Sequence, residues 1–205
     1  MYGLPAKIYL ASKSPRRREL LKQIGVQFDV ILLREGASRA QDVDEDPLPG
    51  EAPRDYVQRV CALKATAGWS RLMQRNLRHY PLLAADTTVA VGNTILGKPT
   101  SPADAVTMLK LLAGREHEVF TAVAVQHEGR GTAALSASRV RFADLSDAQI
   151  NAYVATNEGI DKAGGYAIQG QAAGFVIELN GSYSGVMGLP LYETAQLLRE
   201  CVPRP

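Results

Sequence analysis

Short apolar runs alternate with amphipathic stretches along the whole chain, which predicts interleaved strands and helices. Lys7 to Ala11 reads as a first strand. Ser14 then stands as N-cap and Pro15 as first helical residue of RRRELLKQI, and Gly25 supplies the stop. VQFDVIL predicts a second strand. From Arg34 to Glu51 the periodicity is lost and Gly, Pro and Asp accumulate, which predicts a long surface loop. A helix is expected from Pro53, with Val57, Val60, Cys61, Lys64 and Ala65 on one face by the three-four spacing. Lys64 is the misfit on that apolar stripe, and Gly68 to His79 continues as helix or broken helix, with His79 in an arginine-rich helical stretch. LLAAD predicts a short strand ending in Asp86, and TTVAVGNTIL two short strands around Gly92 and Asn93.

Ser101, Pro102 and Asp104 open another helix and Gly114 closes it. HEVFTAVAVQHEGRGTAALSASRVRF is the clearest hairpin, with its turn at Gly129 to Gly131. Ser146 and Gln149 form a capping box for DAQINAYVATN. A Gly-rich stretch from Gly159 to Gly174, a strand FVIEL, a loop NGSYSGVMG and a closing helix from Pro190 complete the chain. Together these segments predict an α/β fold with a mixed sheet. No repeat, low-complexity tract or separating linker interrupts them, so residues 1–205 are expected to form a single domain.

Composition narrows the function. With 205 residues, 46% hydrophobic and 21% charged, the chain is globular rather than disordered. Lys plus Arg (23) nearly balances Asp plus Glu (21), and a net charge of +2 argues against bulk nucleic-acid or membrane binding. Any phosphate chemistry must therefore come from local clusters of cations. Cys61 and Cys201 make neither a CxxC pair nor a disulfide framework. The N-terminus does not read as a signal peptide, and no run of about 18 apolar residues is present, so a cytoplasmic location is expected.

Four clusters carry candidate chemistry. Ser12, Ser14, Arg16, Arg17 and Arg18 follow a strand at a helix start, where backbone N–H groups and arginine forks favour an anion. GNTILGK, Gly92 to Lys98, has the spacing of a P-loop, but Pro99 stands where that motif needs Ser or Thr. Lys98 is left as a phosphate-facing lysine on a loop after a strand. AADTT puts Asp86 at the carboxyl end of the expected strand, where it can hold magnesium or activate water. DKAGGYAIQG surrounds Tyr166 and Gln169 with glycines, and Gln169 can read a base edge through paired donor and acceptor. Taken singly, each also has an ordinary reading: a capped helix with solvated arginines, a turn aspartate, a tight loop. His79, His117 and His127 show no metal-ligand spacing.

The order of the clusters is more specific than any one of them. YLASKSPRRRELL, VDEDPLPGEAPRDYVQRVCALKA, AADTTVAVGNTILGKP, GREHEVFTAVAV, DKAGGYAIQG and NGSYSGVMGLPLYET together resemble the Maf family of nucleoside triphosphate pyrophosphatases, from about Ile8 to Leu198. The resemblance implies an α/β fold, Maf/ITPase-like, with a mixed central sheet flanked by helices and two lobes around a cleft. It implies cleavage of a nucleoside triphosphate to the monophosphate and pyrophosphate with a divalent metal, Mg2+ or Mn2+. The family's SxSPRR motif falls on Ser12, Ser14, Pro15, Arg16 and Arg17, and its acidic loop residue on Glu45. Its helix lysine falls on Lys64, its catalytic aspartate on Asp86 and its GKP lysine on Lys98. Asp86 and Glu45 are then the expected metal ligands, and Arg16, Thr87 and Gln169 the specificity positions. AGGYAIQG looks like the branch acting on dTTP and UTP, whose reaction also suits clearing of non-standard nucleotides. A 7-methyl-GTP or other-base enzyme of the same family, or a nucleotide-binding regulator of cell division, stays open as the alternative. Small-molecule triphosphates are the expected partners, with no nucleic acid and no membrane. A homodimer and the role of the loop from Arg34 to Asp42 are left undecided.

Overall fold

The computed structural model describes residues 3–34 and 41–201, so part of the long loop, positions 35–40, lies outside the described residues. A seven-stranded mixed sheet forms the centre. Its strands are β1 (Lys7–Leu10), β2 (Gln27–Val30), β3 (Leu82–Val91), β4 (Thr94–Leu96), β5 (Glu116–His127), β6 (Arg130–Phe142) and β7 (Val176–Asn180). The order is β2-β1-β3-β5-β6-β7, with β4 also paired to β3. β1 runs parallel to both β2 and β3, and the remaining pairings are antiparallel. The helices are α1 (Pro15–Gln23), α2 (Pro53–Gln74), α3 (Pro102–Leu112), α4 (Asp147–Ala155), α5 (Tyr183–Val186) and α6 (Leu191–Glu200). None of the described helices is long and apolar enough to cross a membrane.

Alternation along β3 and β5 divides their side chains between two faces. On one face α1 and α6 bury Leu20, Leu21, Leu197 and Leu198 against Leu10, Leu83, Val123 and Val125. On the other, α2 buries Val57, Cys61, Ala65 and Leu72 against Leu82, Ala84, Ala122 and Ala124. Gly68 allows that approach, since a Cβ there would meet Leu82 and Ala11 at 3.0 and 3.1 Å. A third core, at the far end of the long strands, packs Leu109, Leu112, Ile150 and Tyr153 of α3 and α4 on Val89, Val119, Val140 and Phe142. The first two cores flank one half of the sheet and form one lobe, and the third forms the other, as the family resemblance implies. Between them the sheet carries small hydroxyl residues in register, Thr87 opposite Thr121 and Thr121 opposite Ser136.

Several sequence expectations need correction. The strand through LLAAD does not end at Asp86. It runs unbroken to Val91, because β5 pairs with it from Leu82 to Ala90 and overrides the polar Asp-Thr-Thr signal. β1, by contrast, reaches only Leu83, and β4 begins pairing only at Val89. That edge of β3 is therefore unpaired around Asp86, so a mid-strand residue borders an opening in the sheet although it is itself only 7% exposed. α2 is a single helix ending at Gln74, and His79 lies beyond it rather than within it. Ser14 sits at the N-cap of α1 without a side-chain cap bond; Ser12 Oγ accepts from the Ser14 N–H instead. The hairpin turn falls on Glu128 and Gly129, both with positive φ, one residue earlier than expected. The NGSYSGVMG loop contains α5, capped by Ser182 through the Gly185 N–H.

Candidate active site

The open edge of β3 forms the floor of a cleft of about 540 Å³, and all ten anticipated residues line it: Ser12, Ser14, Arg16, Arg17, Glu45, Lys64, Asp86, Thr87, Lys98 and Gln169. At its centre Lys64 Nζ donates to Asp86 Oδ1 and to Glu45 Oε2, each at 2.7 Å. The lysine that was out of place on an apolar helix face is thus the link between two carboxylates. β3 fixes Asp86 rigidly, with its side chain only 10% exposed, whereas Glu45 comes from an irregular loop and is 40% exposed. That loop is tied back to α2. The Tyr56 hydroxyl donates to the Glu45 carbonyl at 3.0 Å, and Arg59 donates to the Asp46 carbonyl while pairing with Glu51. Burial, with Asp86 and Glu45 nearby, pushes the Tyr56 phenol up to about 12, so it remains a donor near neutral pH.

The two anticipated arginines differ in what they hold. Arg17 Nε donates to the Gly188 carbonyl at 2.7 Å, and its NH groups reach Ser12 Oγ and Thr87 Oγ1 at 3.2 Å. Arg17 therefore ties α1 to β3 and to the loop before α6. Burial lowers its guanidinium from its ordinary value, with the Asp86 charge acting against that shift. Arg16 lies within 3.9 Å of Asp161 on the opposite wall. Asp161 also pairs with Lys162. Burial pushes the Asp161 carboxyl upward, but Lys162 and Arg16 outweigh it and hold the group below the usual range. Lys98 follows β4 and makes no hydrogen bond or ion pair with the described residues.

The Gly-rich loop closes the far wall. The Gly164 N–H donates to the Gly97 carbonyl at 3.0 Å, tying this loop to the one that carries Lys98. Gly164 has φ 71°, and a Cβ there would meet Val89 at 3.0 Å, so both backbone and space call for glycine. Below it Tyr166 Oη lies 2.8 Å from His117 Nε2, and burial pushes His117 down to about 4. Tyr56, Asp161, Lys162 and Gly188 are the site residues that sequence reasoning missed. Asp161 and Lys162 lie within the quoted DKAGGYAIQG motif. Tyr56 shares the helix of Lys64. Gly188 contributes a carbonyl, which no side-chain pattern reveals.

No group of three or more His, Cys, Asp or Glu able to hold a metal occurs among the described residues. Glu45 and Asp86 nevertheless suit a cation that arrives with a nucleotide. Magnesium is commonly held by one or two carboxylates, its other positions filled by phosphate oxygens and water, and manganese accepts the same oxygen donors.

The Maf-like protein family matches residues 7–201. A dTTP/UTP pyrophosphatase of Nitrosomonas europaea is 56% identical over 193 residues, covering 94% of this chain and 93% of the relative. One of Nitrosospira multiformis is 54% identical over 199 residues, covering 97% and 96%. A Ham1 protein of Staphylococcus aureus superposes on 67% of this chain and 72% of its own, at a TM-score of 0.45 and 17% identity, too loose a likeness to carry an argument. With nearly the whole chain matched and its motifs gathered around one cleft, the protein belongs to the Maf family.

Proposed function

We propose that this protein hydrolyses dTTP and UTP to the monophosphate and pyrophosphate, with residues 1–205 acting as a single domain. The observation that carries the proposal is the bridge from Lys64 to Asp86 and Glu45 inside a cleft with cations on both walls. A binding module has no need of two carboxylates beside those cations. Relatives above 50% identity that are named dTTP/UTP pyrophosphatases support the choice of substrate.

In this reading Arg16 and Lys98 meet the triphosphate from opposite walls, and Ser12 and Ser14 add hydroxyl contacts. Arg17 is the residue that keeps Ser12 and Thr87 in place. Water attacks the α-phosphorus opposite the pyrophosphate. The new O–P bond forms as the Pα–O bond to the leaving group breaks, and pyrophosphate takes that electron pair. Asp86 accepts the proton of the attacking water. Lys64 orients both carboxylates and adds positive charge beside the reacting phosphate. Glu45 and Asp86 would hold Mg2+ or Mn2+, whose charge offsets that of the triphosphate. Gln169 offers donor and acceptor to a uracil or thymine edge, while Thr87 and Arg16 shape the rest of the site.

Pyrophosphate release from dTTP, UTP, CTP, ATP, GTP and 7-methyl-GTP, with magnesium and with a chelator, tests the proposal. Turnover of dTTP and UTP well above the purines, lost on chelation, is expected. Absence of turnover overturns the enzymatic reading. A preference for 7-methyl-GTP overturns the choice of substrate alone.

A further inference from the structure

Gln169 is exposed and makes no side-chain hydrogen bond with the described residues, so its aim depends on the backbone that carries it. That backbone is gripped on both sides. Two residues before Gln169, the Ala167 N–H donates to Tyr153 Oη at 3.0 Å. Two residues after it, the Gln171 N–H donates to Glu158 Oε2 at 3.1 Å. The grips are joined, because the Tyr153 hydroxyl donates to Glu158 Oε1 at 3.0 Å. Between them the Gly170 N–H closes a turn onto the Ala167 carbonyl at 3.0 Å.

Packing points the same way. A Cβ at position 170 would stand 2.3 Å from the Glu158 carboxyl, so the loop passes directly over that group and a larger residue there would push the carboxyl aside. Tyr153 is 3% exposed and meets the Phe175 ring edge-on at 5.3 Å. It is carried by α4, whose start is fixed by the Ser146–Gln149 capping box. Burial raises the Tyr153 phenol above its ordinary value, so the hydroxyl keeps its proton near neutral pH. The pair thus joins a capped helix to the backbone on both sides of Gln169.

We infer that Tyr153 and Glu158 are positioning residues for base selectivity, acting through the backbone on either side of Gln169. The inference rests on the reading that Gln169 contacts the base. Steady-state kinetics on dTTP and GTP test it in the wild type, Glu158→Ala, Glu158→Gln, Tyr153→Phe, Gln169→Ala and Glu158→Ala/Gln169→Ala, with melting temperatures measured alongside. Glu158→Ala should lower kcat/KM for dTTP about fivefold to tenfold, mainly through KM, the size of one lost hydrogen bond. Its kcat/KM for GTP should not change. Glu158→Gln, which keeps an acceptor for the Gln171 N–H, should retain most of the selectivity. Tyr153→Phe preserves the ring packing and should lose selectivity as Glu158→Ala does. In the Gln169→Ala background Glu158→Ala should add nothing. Equal losses on dTTP and GTP, or additive losses in the double variant, overturn the inference while the wild-type preference stands. A wild-type enzyme indifferent to the base overturns the base reading and the inference with it.

Discussion

Lys64 holds a charge on the sheet-facing side of α2, a position that is costly without a partner, and it has two carboxylates within 2.7 Å. Asp86 is the less exposed of the two and the one held by a strand, which suits it to take a proton from water at a fixed place. Asp86→Asn should leave the fold intact by circular dichroism and lower turnover by about 10²–10⁴, as expected when a positioned base is removed. Retention of more than about a tenth of the wild-type rate would sink the base assignment. The arginine pair gives a second prediction. Arg17→Ala removes a guanidinium bonded to Gly188, Ser12 and Thr87, and hydrogen bonds to charged groups contribute about 1.5–3 kcal/mol each. It should lower the melting temperature by several degrees as well as the activity. Arg16→Ala loses one loose pair to Asp161 and should raise KM for the triphosphate with little change in melting. Equal melting shifts for the two variants would contradict this division.

Among the elements, the β5–β6 hairpin and the Gly-rich loop meet at His117, which is 2% exposed and bonded to Tyr166. The ring edges of Phe142 and Tyr166 enclose it. Burial holds the imidazole neutral, down to about 4 against an ordinary 6.5. Between those values the unfolded chain takes up a proton that the folded protein refuses. Stability from this group is therefore fully present above pH 6.5 and is lost as pH falls through the window. The loss should approach about 3 kcal/mol at pH 4. Urea unfolding of wild type and His117→Gln across pH 7 to 4 checks it, since other groups titrate in both. Identical pH dependence in the two proteins would show that His117 does not carry the effect. The elements also mark how far local patterns reach. Helix starts at Pro15, Pro53 and Pro102 and the Ser146 capping box were legible because they depend on residues within one turn. The extent of β3 was not, because its second half is held by β5, some 30 residues further along the chain.

At the scale of the whole molecule, three cores share one sheet, and β3 and β5 run through all of them. Such continuity favours one cooperative unfolding transition. Calorimetry should give a single peak, and a second resolved transition would mean that the lobes are separate domains. Magnesium alone should shift that peak little, since the described residues hold no group of three metal-ligating side chains. A non-hydrolysable dTTP analogue with magnesium should raise the melting temperature in a concentration-dependent way. A large shift with magnesium alone would place a protein-held metal site in the folded enzyme.

The sequence by itself determined the order of the elements and the mixed α/β class, because local periodicity is a property of neighbouring residues, and its motif order carried the family resemblance that implied the ten residues now found lining the cleft. Only the tertiary structure decided what those residues do to one another. Glu45, Lys64 and Asp86 are bonded across separations of 19 and 22 residues, and Arg17 reaches Thr87 and Gly188 across 70 and 171. Register and packing set those distances, and one-dimensional patterns do not record them. The cleft itself lies where β1 stops pairing with β3, at Leu83, and β4 has yet to begin, at Val89, so that one edge of β3 is unpaired at Asp86.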